Sequence, residues 1–184
     1  MAKIKTRTYP QFSACGLNCG LCSRYYTKGS SRCPGCAGEG FTEAHCSCSV
    51  LSCCERHGVE FCFLCDEYPC KKYDNALDDS FITHQNIFKD AQKAKQIGIE
   101  AYIGELNIKI EILEKLLKNH DDGRRKSFFC LAVNLLDIAD VNSVMEQLDG
   151  KMQLPLKERA KFAAGLFQAV ADEKGIVLKL NKPK

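Results

Sequence analysis

Cys15-Gly16-Leu17-Asn18-Cys19-Gly20-Leu21-Cys22 opens the stretch on which the fold turns. After it come Cys33-Pro34-Gly35-Cys36, then Cys46 and Cys48, then Cys53 and Cys54, then Cys62-Phe63-Leu64-Cys65-Asp66-Glu67-Tyr68-Pro69-Cys70. These account for all but one of the chain's 13 cysteines, the last being Cys130. Three pairs have the C-x2-C step. At that spacing both sulfurs can turn to one side of a tight loop and hold a single tetrahedral ion. Pro34 and Gly35 favour such a turn.

Around these cysteines the large apolar residues are scattered: Leu17, Leu21, Phe41, Val50, Leu51, Phe61 and Leu64. No period of two or 3.6 is sustained, and a segment so short with so little apparent core calls for staples. A structural zinc site contributes about 10–16 kcal/mol to folding. The sequence therefore predicts a metal-stapled, cysteine-rich module over residues 11–73 with two or three zinc ions. Its ligands would come from Cys15, Cys19, Cys22, Cys33, Cys36, Cys46, Cys48, Cys53, Cys54, Cys62, Cys65 and Cys70. Twelve thiolates fill three four-coordinate sites, and two sites would leave four thiols over. His45 and His57 could replace a thiolate, although surface exposure is their plainer reading. Inert thiols packed as small hydrophobes are the bland alternative.

Iron–sulfur is the chemical competitor, because cysteine clusters hold those centres too. Cys15-x3-Cys19-x2-Cys22 has the spacing of the radical S-adenosylmethionine motif. That class needs alternating strands and helices after the motif, and none is expected here. Short pairs spread over several loops suit separate ions better than one shared cluster, so zinc comes first. Cys33-Pro-Gly-Cys36 looks like a dithiol redox pair, but Ala37-Gly-Glu-Gly40 is a poor start for the helix that would lower a thiol pKa.

The quoted cysteine motifs resemble the signature of an uncharacterised bacterial and archaeal family, domain-of-unknown-function family 3795. The resemblance covers about residues 11–73 tightly and runs more loosely to Gly98-Ile99-Glu100. It implies a zinc-binding domain in a cytoplasmic prokaryotic protein and supplies no activity. Relatives carry a further C-x2-C pair after the stretch like Gly98-Ile99-Glu100; this chain has a long apolar-striped helix instead.

From residue 74 the pattern is helical, giving a second domain over residues 74–184 and little β structure. Thr83 to Gln96 reads as a helix stopped by Gly98. Ile99, Ile103, Leu106, Ile110, Leu113 and Leu117 stripe a long helix that Asn119 to Gly123 ends. Arg125 to about Ala139 gives a third helix, with Cys130 in its core, and Val141 to Leu148 a fourth, broken at Gly150. Pro155 opens the last helix, striped by Leu156, Ala160, Ala163, Phe167 and Val170. Ile176 to Leu180 reads as a short strand or an extended tail. The whole is a small module followed by an all-α bundle.

Composition narrows the function classes. The 184 residues carry 26 basic and 23 acidic side chains, a net charge of +3, and no tryptophan. That is weak support for nucleic acid. No apolar run reaches membrane-spanning length, and the charged N-terminus has no apolar stretch behind it. A cytoplasmic, reducing setting is expected, where disulfides are disfavoured. No phosphate loop, H-E-x-x-H or G-x-S-x-G motif is found. His84 and His120 read as solvent-facing. The expectation is a non-enzymatic zinc protein that serves as an adaptor for a protein partner, with Phe41, Phe61, Phe63 and Tyr68 as surface candidates. A homodimer through the Ile99–Leu117 stripe is compatible. Iron–sulfur or thiol redox protein is the second reading, and nucleic-acid binding the third.

Overall fold

The computed structural model describes residues 6–45, 47–74 and 76–181. Among them no strand forms, so Ile176 to Leu180 is an irregular tail. The α-helices are α1 Phe41–Ala44, α2 Ser49–His57, α3 Ile87–Ile97, α4 Ile99–His120, α5 Lys126–Leu135, α6 Ile138–Asp149 and α7 Leu156–Glu173. None is long and apolar enough to cross a membrane among the described residues. The chain divides into two compact units, Met1–Gly104 with Asn181–Lys184, and Glu105–Leu180.

The first unit is mostly loops, yet it has a core. Phe12, Phe61 and Phe63 are almost fully buried. Phe12 lies 5.3 Å from Phe61 and 4.7 Å from Tyr102 between ring centroids, and Phe61 lies 5.2 Å from Phe63. Such rings each bury 150–250 Å² or so and gain about 0.5–1.5 kcal/mol per pair beyond area alone. Phe41, Phe61 and Phe63 therefore do not form a surface; they are interior. A buried amide ties this core to the helices. The Asn18 side chain donates to the Asp90 carboxylate on α3 at 2.9 Å and accepts from the Tyr102 hydroxyl on α4 at 2.9 Å.

Local chemistry sets the helix limits. Gly58 (φ 65°) closes α2, its N–H reaching the carbonyls of Cys54 and Glu55, as the left-handed cap requires. α3 starts at Ile87 rather than Thr83. The Thr83 hydroxyl accepts from the Gln85 N–H at 3.2 Å, Asp79 accepts from the His84 N–H at 2.6 Å, and the His84 ring lies 2.8 Å from the Ala76 carbonyl. Those side-chain bonds offer the backbone an alternative to the helix. Asp79 also accepts from the Asn181 N–H at 2.7 Å.

The second unit is a helical core. α7 packs against α5 and α6, with the Phe129 and Phe167 rings edge to face at 6.1 Å. Every residue from Phe129 to Leu136 is buried, Cys130 among them. α5 ends at Leu135, short of Ala139. The Lys109 ammonium donates to the Leu136 carbonyl at 2.6 Å, a cation at the helix end that the macrodipole favours. On α4, Ile103, Leu106 and Leu113 are buried as the stripe predicts, together with Tyr102, Ile112 and Leu116, while Ile99, Ile110 and Leu117 are half-buried. A seven-residue repeat drifts around a straight helix, and this accounts for the offset.

Candidate functional site

The described cysteines are all free thiols, and those of the first unit fall into two neighbourhoods. In one, Cys19 lies within electrostatic reach of Cys15, Cys22, Cys33 and Cys36, and Cys15 within reach of Cys36 and Cys48. In the other, Cys53, Cys54, Cys62, Cys65 and Cys70 line one small cavity. Cys54 and Cys62 there are hydrogen-bonded to each other. Cys46 lies outside the described residues.

Proximity is not coordination. Among the described residues no group of three or more His, Cys, Asp or Glu side chains is arranged to hold a metal ion. The expectation of two or three zinc ions is overturned, and so is the iron–sulfur alternative. A tetrahedral thiolate site needs its sulfurs about 2.3 Å from one common point. The sulfurs here are occupied otherwise. The Cys36 sulfur accepts from the Ala14 N–H at 3.5 Å, the Cys48 sulfur from the Leu51 N–H at 3.5 Å, and the Cys15 thiol lies 3.0 Å from the Ser13 hydroxyl. Cys36, Cys54 and Cys62 pack in one apolar cluster with Ala14, Phe41, Leu51, Tyr73 and Ile87. Thiols serving as small hydrophobes, the alternative set aside in the sequence, are what the interior contains.

Burial also holds these thiols in the neutral form. It pushes Cys54 up to about 12, helped by the neighbouring Cys62, and Cys15 up to about 11, against the Ser13 hydrogen bond. Cys19, Cys22, Cys36 and Cys62 are raised for the same first reason. The thiolate is both nucleophile and metal ligand, so at neutral pH these residues are poorly prepared for either task. The Cys33–Cys36 turn likewise lacks the redox arrangement. Gly35 (φ 87°) lets the Cys36 N–H reach the Pro10 carbonyl at 2.8 Å, and no helix starts at Cys36.

The histidines are placed differently from expectation. His45 and His57 are exposed, His45 stacking on Phe41 with centroids 4.7 Å apart. His120 is 3% exposed, and His84 is half-buried rather than solvent-facing.

What the sequence missed is a cleft beside the thiols. A cavity of about 590 Å³ lies between residues 6–8 and the segment from Leu51 to Glu60. Leu51 and Val59 give it apolar wall; Arg7, Glu55 and Glu60 give it charge. The Arg7 side chain is only 7% exposed. Its guanidinium lies 4.6 Å from the Phe61 ring centroid, and its Nη1 donates to the Phe12 carbonyl at 2.7 Å. No sequence signal marks Arg7, which reads as one more charge in a basic N-terminal run.

No curated protein and no solved structure matches this chain. One family model does, over the cysteine-rich stretch and the residues just beyond it: residues 11–75 match the family described as a protein of unknown function, DUF3795.

Proposed function

We propose that the chain is a non-enzymatic interaction protein. Its cysteine-rich unit acts as a binding module, and its thiols serve as building material rather than chemistry. The observation that carries this reading is the cleft of about 590 Å³, which joins apolar wall to charged groups beside thiols that burial keeps neutral. Binding clefts have that size and make-up. In this reading the protein works in the cytoplasm, where free thiols persist, and its partner is a protein segment seated in the cleft.

Selection of a random peptide library on the full chain, followed by heteronuclear NMR mapping of the enriched peptides, tests the reading. The expected result is perturbation confined to Arg7, Thr8, Glu55, Val59 and their neighbours, abolished by Glu55→Arg and by Val59→Arg. Enriched peptides that map elsewhere, or that bind both variants unchanged, would sink it.

One observation favours a thiol redox reading in second place. The Cys54 and Cys62 thiols are hydrogen-bonded to each other in a cavity lined by three further cysteines. A disulfide needs only two sulfurs in register. Oxidised glutathione would accept the electron pair, joining the two sulfurs and leaving as two glutathione thiols that carry off both protons. Mass spectrometry after equilibration in glutathione redox buffers should then show loss of two hydrogens localised to Cys54 and Cys62. Scrambled pairing, or none, removes this reading.

A further inference from the structure

Arg7 has one edge in use and one edge free. Nη1 is committed to the Phe12 carbonyl at 2.7 Å. Nε and Nη2 are buried and have no hydrogen-bond partner. Those two nitrogens lie on the same side of the guanidinium plane and form its side-on fork, the edge that takes a carboxylate through two parallel N–H···O bonds. The nearest acid, Glu60, places Oε1 3.8 Å from Nη2, which is ion-pair distance and longer than a hydrogen bond, and its side chain is 41% exposed. A buried guanidinium with an empty fork is costly unless something fills it. Arg7 lines the cleft, and the Phe61 ring and the Phe12 carbonyl fix its plane.

From this geometry we infer that the cleft binds a carboxylate, gripped side-on by Arg7. The inference rests on the binding-module reading and names the chemistry that module recognises. Glu55 and Glu60 line the same cavity, so a multiply charged anion meets repulsion that a single carboxylate tolerates better. A positive group on the ligand would be welcome at those acids. The ligand class is therefore a zwitterionic carboxylate, supplied either by a free amino acid or by the C-terminus of a peptide that also carries a lysine.

The test uses the full chain and follows the Arg7 Nε–Hε resonance by NMR. The probes are free lysine, the tripeptide Gly-Lys-Ala, its C-terminal amide, acetate and inorganic phosphate. The expected result is a saturable shift of that resonance with Gly-Lys-Ala or with lysine, and affinity at least about ten-fold weaker for the amide, the usual scale for losing a charge-assisted bidentate pair. Which of the two free acids binds tighter separates the peptide source from the amino-acid source. Arg7→Lys keeps the charge and loses the fork, and should weaken binding by a similar factor. Because that variant removes a packed side chain, Glu60→Gln is the second one. It sits on an exposed side chain and should tighten carboxylate binding several-fold by removing the competing charge.

Equal binding of amide and acid, with the Arg7 resonance unmoved, overturns the carboxylate assignment and leaves the cleft reading standing. Phosphate binding tighter than every carboxylate also overturns it. So does a Glu60→Gln variant that binds no better than the parent. If no probe moves Arg7 or any other cleft resonance, inference and module reading fall together.

Discussion

Replacing Phe12 by Ala removes the ring on which the cysteine-rich unit is built. Phe12 is 0% exposed and stands against three aromatic rings, those of Phe61, Phe63 and Tyr102, at centroid distances of 5.3, 6.0 and 4.7 Å. Phe to Ala at such a site costs about 3–5 kcal/mol, and the net stability of a whole domain is about 5–15 kcal/mol. At about 4–8 °C per kcal/mol for a unit near a hundred residues, the melting temperature should fall by roughly 15–30 °C. The thiols provide the assay. Pulsed alkylation along a temperature series, mapped by peptide mass, reads the exposure of Cys36, Cys54 and Cys62, which stay protected while the apolar cluster is intact. The aromatic-core account predicts a large shift in Phe12→Ala and none when the wild-type protein is treated with a strong chelator. If chelation alone releases those three thiols as fully as the substitution does, the rings are not what holds the unit together and the reasoning fails.

Asp79→Ala should destabilise the first unit by about 2–4 kcal/mol, since it leaves two N–H groups, of His84 and Asn181, without their carboxylate acceptor; faster amide exchange at both positions is the check. Gly35→Ala should be as damaging, because φ there is 87° and an added Cβ would run into the Pro10 carbonyl. A Gly35→Ala protein that melts within a degree or two of wild type would refute that geometry. Cys54, pushed up to about 12 from 9.0, should hold about a thousand-fold less thiolate at neutral pH than an unperturbed thiol. Its native-state alkylation rate should still be climbing ten-fold per pH unit at pH 10, and a plateau below that pH would contradict the burial. Burial, reinforced by the nearby Arg159 charge, lowers the His120 pKa below its ordinary 6.5. The unfolded chain then binds the proton more readily than the fold. Stability should be constant above about pH 6.5 and decline as pH falls below it, by at most about 1.4 kcal/mol per pH unit. His120→Gln should flatten that part of the urea-denaturation profile.

The helices were largely legible because their signal is local. Periodic apolar residues, Gly98, Gly150 and Pro155 sit beside the elements they punctuate, and α3, α4, α6 and α7 follow from them within a few residues. Misplaced ends trace to side chains that arrive from elsewhere: Asp79 and Thr83 hold the loop before α3, and Lys109 receives the carbonyl after α5. The cysteines were legible as a group but not in their role. A C-x2-C turn delivers two sulfurs to one side of a loop, and whether a third and fourth converge on the same point is a tertiary fact. Here backbone N–H groups and apolar neighbours take up the sulfurs instead. The need for staples was overstated because Phe12, Phe61, Phe63 and Tyr102 are far apart in sequence and show no period. Only the folded chain reveals them as one cluster.

Arg7 carries the opposite lesson about buried polar atoms. The thiols of the interior are weakly polar, and each can pack with little desolvation cost while accepting a long N–H bond that an alanine would leave unmet. A guanidinium has no such tolerance. Sequestering it and satisfying only Nη1 gives up the hydration of the remaining N–H groups for a stacking contact with Phe61, worth about 2 kcal/mol when desolvated. A leucine or methionine could cover the same ring without that penalty. Stability alone therefore argues against arginine at this position, and the pairing of its open fork with the adjoining cleft is the feature of the unit that packing does not explain.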